Sequence, residues 1–310
     1  MSSTAEVAVV FNPAAHRGLA ATQRPALEAA LAQAGLQAEW YVSPAAGQVR
    51  PLATAAVQKD PRRPLLIAGG DGTIGEAVNG IADARGLDAD AWPPVGFFPL
   101  GSANDLVDNL GLPRDFAALA RLAAQGHVRP MDVLEVNGVL FVNNAAVGTE
   151  PYISMIEKRI RRVRGVTRYA LAALKGLWDN PRWHMRLTWD DGQAAGPMSL
   201  VSVGNWPRTG GLFYPAPGAD GFDGRLTFVY VDAMPAWRLA PRLFKAMSPA
   251  GEHVRMTGVH QVHATRLEVH SEPPAPLHAD GEIQTPGATR FVFRVHPARL
   301  PIFWPAEARP

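Results

Sequence analysis

An apolar strand that runs without a spacer into clustered glycines, and from there into a helix, narrows most what this chain can become. Pro64 to Ala68 (PLLIA) leads into Gly69, Gly70, Asp71, Gly72 and Thr73, and helical spacing begins near Ile74. Glycines let a backbone approach an anion closely and tolerate φ > 0. The helix that follows offers free N–H groups and a partial positive charge. Phosphate is the natural guest. The pattern is not the G-x-x-x-x-G-K-[ST] of a P-loop. Asp71 would repel a bare phosphate, and it makes sense where a divalent cation stands between carboxylate and phosphate. The same residues also fit a tight turn whose Asp caps the helix.

The surroundings repeat the theme. Val7–Phe11, Ala38–Val42, Pro64–Ala68 and Val95–Pro99 read as strands, with helical spacing over 19–35, 48–59 and from 74 on. Such alternation predicts a parallel α/β sheet covered on both faces. Val95–Pro99 runs into a second small-residue turn, Gly101-Ser102-Ala103-Asn104-Asp105, and the first strand ends at Asn12-Pro13. Ligands of open parallel sheets bind at the carboxyl ends of the strands, where all three turns belong. Taken alone, Asn104 and Asp105 read equally as N-caps.

The pattern changes near Pro130. Segments such as Trp183–Trp189, Leu200–Val203, Leu226–Val231, Val262–His270 and Arg290–Val295 read as strands with few helices between them. The exceptions are helical stretches at 151–178 and 236–247. The chain therefore divides into an α/β domain, 1–130, and a mainly antiparallel β-sandwich or barrel domain, 131–310.

Composition excludes several chemistries. With no cysteine among 310 residues, disulfides, iron–sulfur clusters and a cysteine nucleophile are out. The net charge of +2 gives no reason to expect a nucleic-acid partner. The start, MSSTAEVAVVF, lacks the basic region of a signal peptide. No apolar run approaches about eighteen residues, so a cytoplasmic protein is expected.

Three further stretches carry chemistry. Asp220 and Asp223 stand three apart in GADGFDGRL, a pair that suits a hard cation or two solvated turns. Asp280-Gly281-Glu282 follows the Pro-rich segment SEPPAPLHA, read as a loop, and could be a simple Asp-Gly turn. Residues 157–175 hold seven basic residues and one acid. With Ile156, Ile160 and Val163 on one helical face, Arg159, Arg161, Arg162 and Arg164 suit an anionic membrane surface or a solvated face. His260, His263 and His270 read as strand residues and not as a zinc site.

Taken together, GGDGTIGEAVNGI (69–81), PLGSANDLVDNLGLP (99–113), Asn12-Pro13, DVLEVNGVLFVNNAAVG (132–148), PAPGADGFDGRL (215–226) and Asp280-Gly281-Glu282 resemble the diacylglycerol kinase catalytic family, in its bacterial soluble lipid kinase type. Two departures stand out: Ser102 replaces a usual Thr, and the first turn, Ala14 to Gly18, is poorer in glycine. The resemblance implies a phosphofructokinase- or NAD-kinase-like first domain, with ATP held between the two domains. It implies nucleotide contacts from Asn12, Ser43, Gly69, Gly70, Asp71, Gly72, Thr73 and Ser102. Asp71 would help hold the catalytic magnesium, with Asp280 near the metal. Glu282 would accept the proton of a lipid hydroxyl as the phosphoryl group moves. Asp220, Asp223 and the carbonyl of Arg225 would hold a second, structural magnesium.

The expected activity is ATP- and magnesium-dependent phosphorylation of a lipid hydroxyl. Diacylglycerol is the default; phosphatidylglycerol, ceramide and sphingoid bases are alternatives. An NAD-kinase-like enzyme and a non-catalytic nucleotide- or lipid-binding protein are the competing readings. Expected partners are ATP, a lipid at the inner face of a membrane and a second copy of the chain, with no nucleic acid.

Overall fold

Strands covered on both faces show near-continuous apolar runs, and the first half is built from such strands. The computed structural model describes residues 5–45, 47–88, 91–160 and 166–306. Arg161, Arg162 and Arg164 of the basic run lie outside the described residues. The chain forms two units, one made of residues up to Val133 together with those from Pro297 on, the other Leu134–His296.

The first unit runs β1 (Ala5–Phe11), α1 (Ala20–Gln33), β2 (Leu36–Val42), α2 (Val49–Lys59), β3 (Leu65–Gly69), α3 (Asp71–Arg85), β4 (Val95–Pro99), α4 (Asp105–Asn109) and α5 (Phe116–Gln125). Every residue of β3 is buried. The parallel sheet has the order β4-β3-β1-β2. Phe11 lies level with both Val42 and Ala68, and Ala68 with Phe98. The four strands therefore end together and release their loops at one edge. α2 packs on α3 through Gly80, where a Cβ would stand 2.4 Å from the carbonyl oxygen of Arg50.

The second unit is mainly antiparallel. Its elements are the end of β5 (Val128–Val136), then β6 (Val139–Phe141), β7 (Asn144–Gly148), α6 (Thr149–Arg159), α7 (Val166–Asp179), β8 (Trp183–Trp189), β9 (Gly192–Gly204), β10 (Leu226–Asp232), α8 (Ala236–Lys245), β11 (Val259–Ala264), β12 (Arg266–Ala279) and most of β13 (Glu282–Phe303). The long β9 pairs with β7, β8 and β10, and the long β12 with β7, β8 and β13. Phe141, Phe228, Phe291 and Phe293 fill the core between them. An α/β unit and an antiparallel β-sandwich are the fold the sequence predicts.

Four details differ from expectation. The stretch 151–178 is not one helix: α6 ends where Ile160 turns extended (φ −79°, ψ 105°). Lys158, Arg159, Arg161 and Arg162 would crowd like charges at i, i+3 and i+4 in a continuous helix. Val262–His270 is not one strand, because the Asp190 carboxylate accepts the amide N–H groups of Thr265 and Arg266 and the Thr265 hydroxyl, which breaks the ladder there. The Pro-rich segment 271–279 is no loop but the second half of β12, with register shifts where its prolines cannot donate. Residues 131–310 are not all one unit either. Past His296, β13 returns to the first unit and lays Ile302 beside Val95 of β4, in parallel. Asp132 fixes the return by accepting the Ala298 N–H at 2.7 Å.

Candidate active site

The edge of the first unit's sheet gathers most of the residues singled out in its sequence. Asn12, first after β1, donates from Nδ2 to the Thr73 hydroxyl at 3.0 Å and accepts the Ala14 N–H on Oδ1. Thr73 lies in the first turn of α3 and is buried. Neither Gly69 nor Gly70 adopts positive φ. Close approach, and not the left-handed conformation, is why they are glycines. A Cβ on Gly69 would meet Thr73 at 2.5 Å, and one on Gly101 would meet the Gly70 Cα at 2.5 Å. The turns after β3 and β4 are thus in backbone contact.

Asn104 holds the second turn in shape. It sits in the left-handed region (φ 56°), accepts the Gly101 N–H at 2.8 Å and donates to the Gly101 carbonyl at 3.1 Å. Asp71 accepts the Leu106 N–H on Oδ1 at 3.1 Å. It therefore caps α4, a neighbouring helix, and not its own. No side chain caps α3, so the N–H groups of its first turn stay available to an anion. Ser43 is buried, with its hydroxyl donating to the Ala45 carbonyl. Ser102 lies exposed on the turn before α4.

In the second unit, Asp280 and Gly281 form a two-residue hairpin turn between β12 and β13, both at positive φ. The Asp280 carboxylate accepts three backbone N–H groups, from Val142, Asn143 and Asn144. It fastens the hairpin to the start of β7. Glu282 follows, with its carboxylate 3.1 Å from Lys158 Nζ; the two side chains are 65% and 54% exposed. A pair so exposed is worth about 0–1 kcal/mol, so Glu282 is easily released.

A buried polar cluster beside this hairpin escaped the sequence reading. His278, 3% exposed, places Nε2 2.9 Å from Glu150 Oε1. The other carboxylate oxygen accepts from Ser202, and Asn144 links Ser202 to Thr209. Burial opposes ionisation of Glu150 most strongly. The facing His278 and the bonds from Asn144 and Ser202 outweigh it and hold the carboxyl below its usual range. The signal was present: Val147-Gly148-Thr149-Glu150 is also a strand–glycine–helix turn, and His278 stands two residues before Asp280.

The third predicted site is less closed. Asp220 accepts the Phe222 N–H and Asp223 the Arg225 N–H, so each carboxylate commits one oxygen to its own turn. Among the described residues no group of three or more acidic or histidine side chains clusters to hold a metal. His260, His263 and His270 are strand residues.

An α/β unit with an anion-ready sheet edge and a β-sandwich with a carboxylate-bearing hairpin suit a class: enzymes that handle phosphate groups. Comparison with known proteins narrows it. Residues 6–136 match the diacylglycerol kinase catalytic domain, and 143–304 match the YegS C-terminal NAD kinase beta sandwich-like domain. The diacylglycerol kinase of Bacillus subtilis is 27% identical over 277 residues, 88% of each chain, and that of Staphylococcus saprophyticus is 26% identical over 275 residues, again 88% of each. A Chromohalobacter salexigens protein named "Probable lipid kinase YegS-like" is 30% identical over 70% of this chain and 69% of its own. A crystal structure of a Bacillus anthracis diacylglycerol kinase superposes with a TM-score of 0.73 at 22% identity, with both chains fully covered. The chain belongs to the diacylglycerol kinase and YegS-like lipid kinase family, enzymes that transfer phosphate to a hydroxyl.

Proposed function

We propose that this lipid kinase moves the γ-phosphoryl group of ATP to the hydroxyl of diacylglycerol. The observation that supports it most is the uncapped first turn of α3, framed by Asn12 and by the Gly70–Gly101 contact. Backbone N–H groups there, with the Asn12 and Thr73 side chains, would orient the phosphates. Ser43 and Ser102 would complete the nucleotide contacts, Ser43 through its carbonyl because its hydroxyl and its amide N–H are both engaged. Asp71 offers a hard carboxylate donor with one oxygen fixed by Leu106, which fits magnesium. A magnesium ion, when bound, neutralises charge that develops on the phosphoryl oxygens. Asp280 keeps 142–144 in place, and Glu282 takes the hydroxyl proton once Lys158 lets go. Asp220, Asp223 and the Arg225 carbonyl would hold a second, structural magnesium.

The test is transfer of label from γ-labelled ATP to a panel of diacylglycerol, phosphatidylglycerol, ceramide, sphingosine and NAD, with magnesium or with chelator. Label on diacylglycerol that requires magnesium is the expected result. Label on NAD alone, or on another lipid in preference, would replace this reading.

A further inference from the structure

Two helices of the second unit turn large apolar side chains outward. α7 and α8 pack against each other, and their inner sides, through Leu177, Leu239 and Leu243, join a cluster with Val229, Val231 and Met234. That satisfies one face of each helix. The outer face is also apolar: Trp178 is 84% exposed, Phe244 75%, Trp237 69% and Leu174 64%, with Leu171 exposed beside them. Leu171, Leu174 and Trp178 follow i, i+3, i+7 and form one stripe; Trp237 and Phe244, seven apart, form another. Scattered exposed apolar residues need no explanation, but rows of this kind do.

Basic residues outnumber acids nearby, with Lys175 ion-paired to Asp179 and Lys245 to Glu252. α8 carries Arg238, Arg242 and Lys245 and no acid. The Arg238 guanidinium stands 4.9 Å over the Trp237 ring. Exposed Lys175 lies between Leu174 and Trp178. Aromatic rings flanked by long basic side chains suit the boundary between lipid headgroups and acyl chains, where rings sink in and cations meet phosphates. A second copy of the chain fits less well, because a two-fold contact sets the same patch against itself and would bring Arg238 and Arg242 of α8 against like charge.

We infer that the outer face of α7 and α8 is a docking surface for an anionic phospholipid bilayer. Trp178, Trp237 and Phe244 insert, Arg238 meets the phosphates, and Lys175 and Lys245 exchange Asp179 and Glu252 for them. The surface includes neither Lys158 nor Arg159 of the basic run. It rests on the lipid-kinase reading for its purpose, but its test needs neither ATP nor turnover.

Vesicle co-sedimentation decides it. The purified chain should bind vesicles of phosphatidylglycerol mixed with phosphatidylcholine, bind phosphatidylcholine alone much less, and release as salt rises. The triple variant Trp178→Ser, Trp237→Ser, Phe244→Ser should bind the mixed vesicles at least about tenfold more weakly. Arg238→Gln with Lys245→Gln should erase the preference for anionic vesicles. Both variants should melt like the parent and phosphorylate a short-chain, dispersed diacylglycerol at its rate. Parent-like vesicle binding by the triple variant would overturn the inference, as would a parent chain that ignores vesicles. A parent that elutes as a dimer and a triple variant that elutes as a monomer would reassign the face to self-association. If no lipid is phosphorylated but these binding differences hold, the docking surface stands and the substrate reading falls.

Discussion

At the scale of single residues, the proposed reaction divides its chemistry between two carboxylates, and experiment can separate them. Asp71→Asn keeps an oxygen for the Leu106 N–H, so the fold should survive while transfer falls roughly 10²-fold or more, the scale of losing one preorganised electrostatic group. Glu282→Gln should also cost about 10² in turnover, the lower range for a general base, with ATP binding intact. Rates from the labelled-ATP assay, read beside nucleotide titrations, distinguish the two. Glu150 allows a prediction in pH. Its carboxyl is held below the usual range in the fold, so folding favours the ionised form. That stabilisation is complete above the unfolded carboxylate value and is lost as pH falls through the depressed folded one. Urea midpoints across the acid range should drop less steeply for Glu150→Gln than for the parent. An unchanged slope would show that His278 does not sustain the charge.

At the scale of elements, the Asp280 hairpin shows how a catalytic-looking motif also works as a clamp. Asp280→Ala orphans three backbone N–H groups and should cost roughly 1–3 kcal/mol. Faster hydrogen exchange at Val142, Asn143 and Asn144 would reveal the clamp; exchange that stays slow would leave Asp280 a role at the metal alone. The first-unit elements were legible because buried parallel strands read as unbroken apolar runs, and because Gly69, Gly70 and Gly101 are required by close approach. The second unit was legible in strand content but not in strand ends. β12 runs through prolines because β8 and β7, distant along the chain, hold it on one side while its hairpin neighbour β13 holds the other. The break at Thr265 depends on Asp190, seventy-five residues away. Local sequence shows neither. The Glu150–His278 pair was hidden for the same reason, since 128 residues separate its members.

At the scale of the whole molecule, the first unit is discontinuous. Leu300, Ile302 and Phe303 are buried, and Ile302 lies on β4. The Trp304 N–H donates to the His127 carbonyl, and the Arg129 guanidinium lies 5.2 Å over the Trp304 ring. A polypeptide of residues 1–296 should therefore lose stability in the first unit before the second. Hydrogen exchange read element by element would show it, with β4 amides opening early while β9 and β12 stay protected. Uniform loosening of both units would count against the division.

This interleaving sets an order in time as well as in space. During synthesis, residues 1–133 emerge first, yet their sheet lacks the strand that lies on β4 until Pro297–Phe303 have been made. Leu134–His296 is contiguous and has all its own strands earlier. The half that carries Glu282 can therefore finish folding before the half that carries Asp71. A chain released before Pro297 is made would carry a first unit whose sheet lacks its β4 neighbour, beside a second unit that already has all its strands.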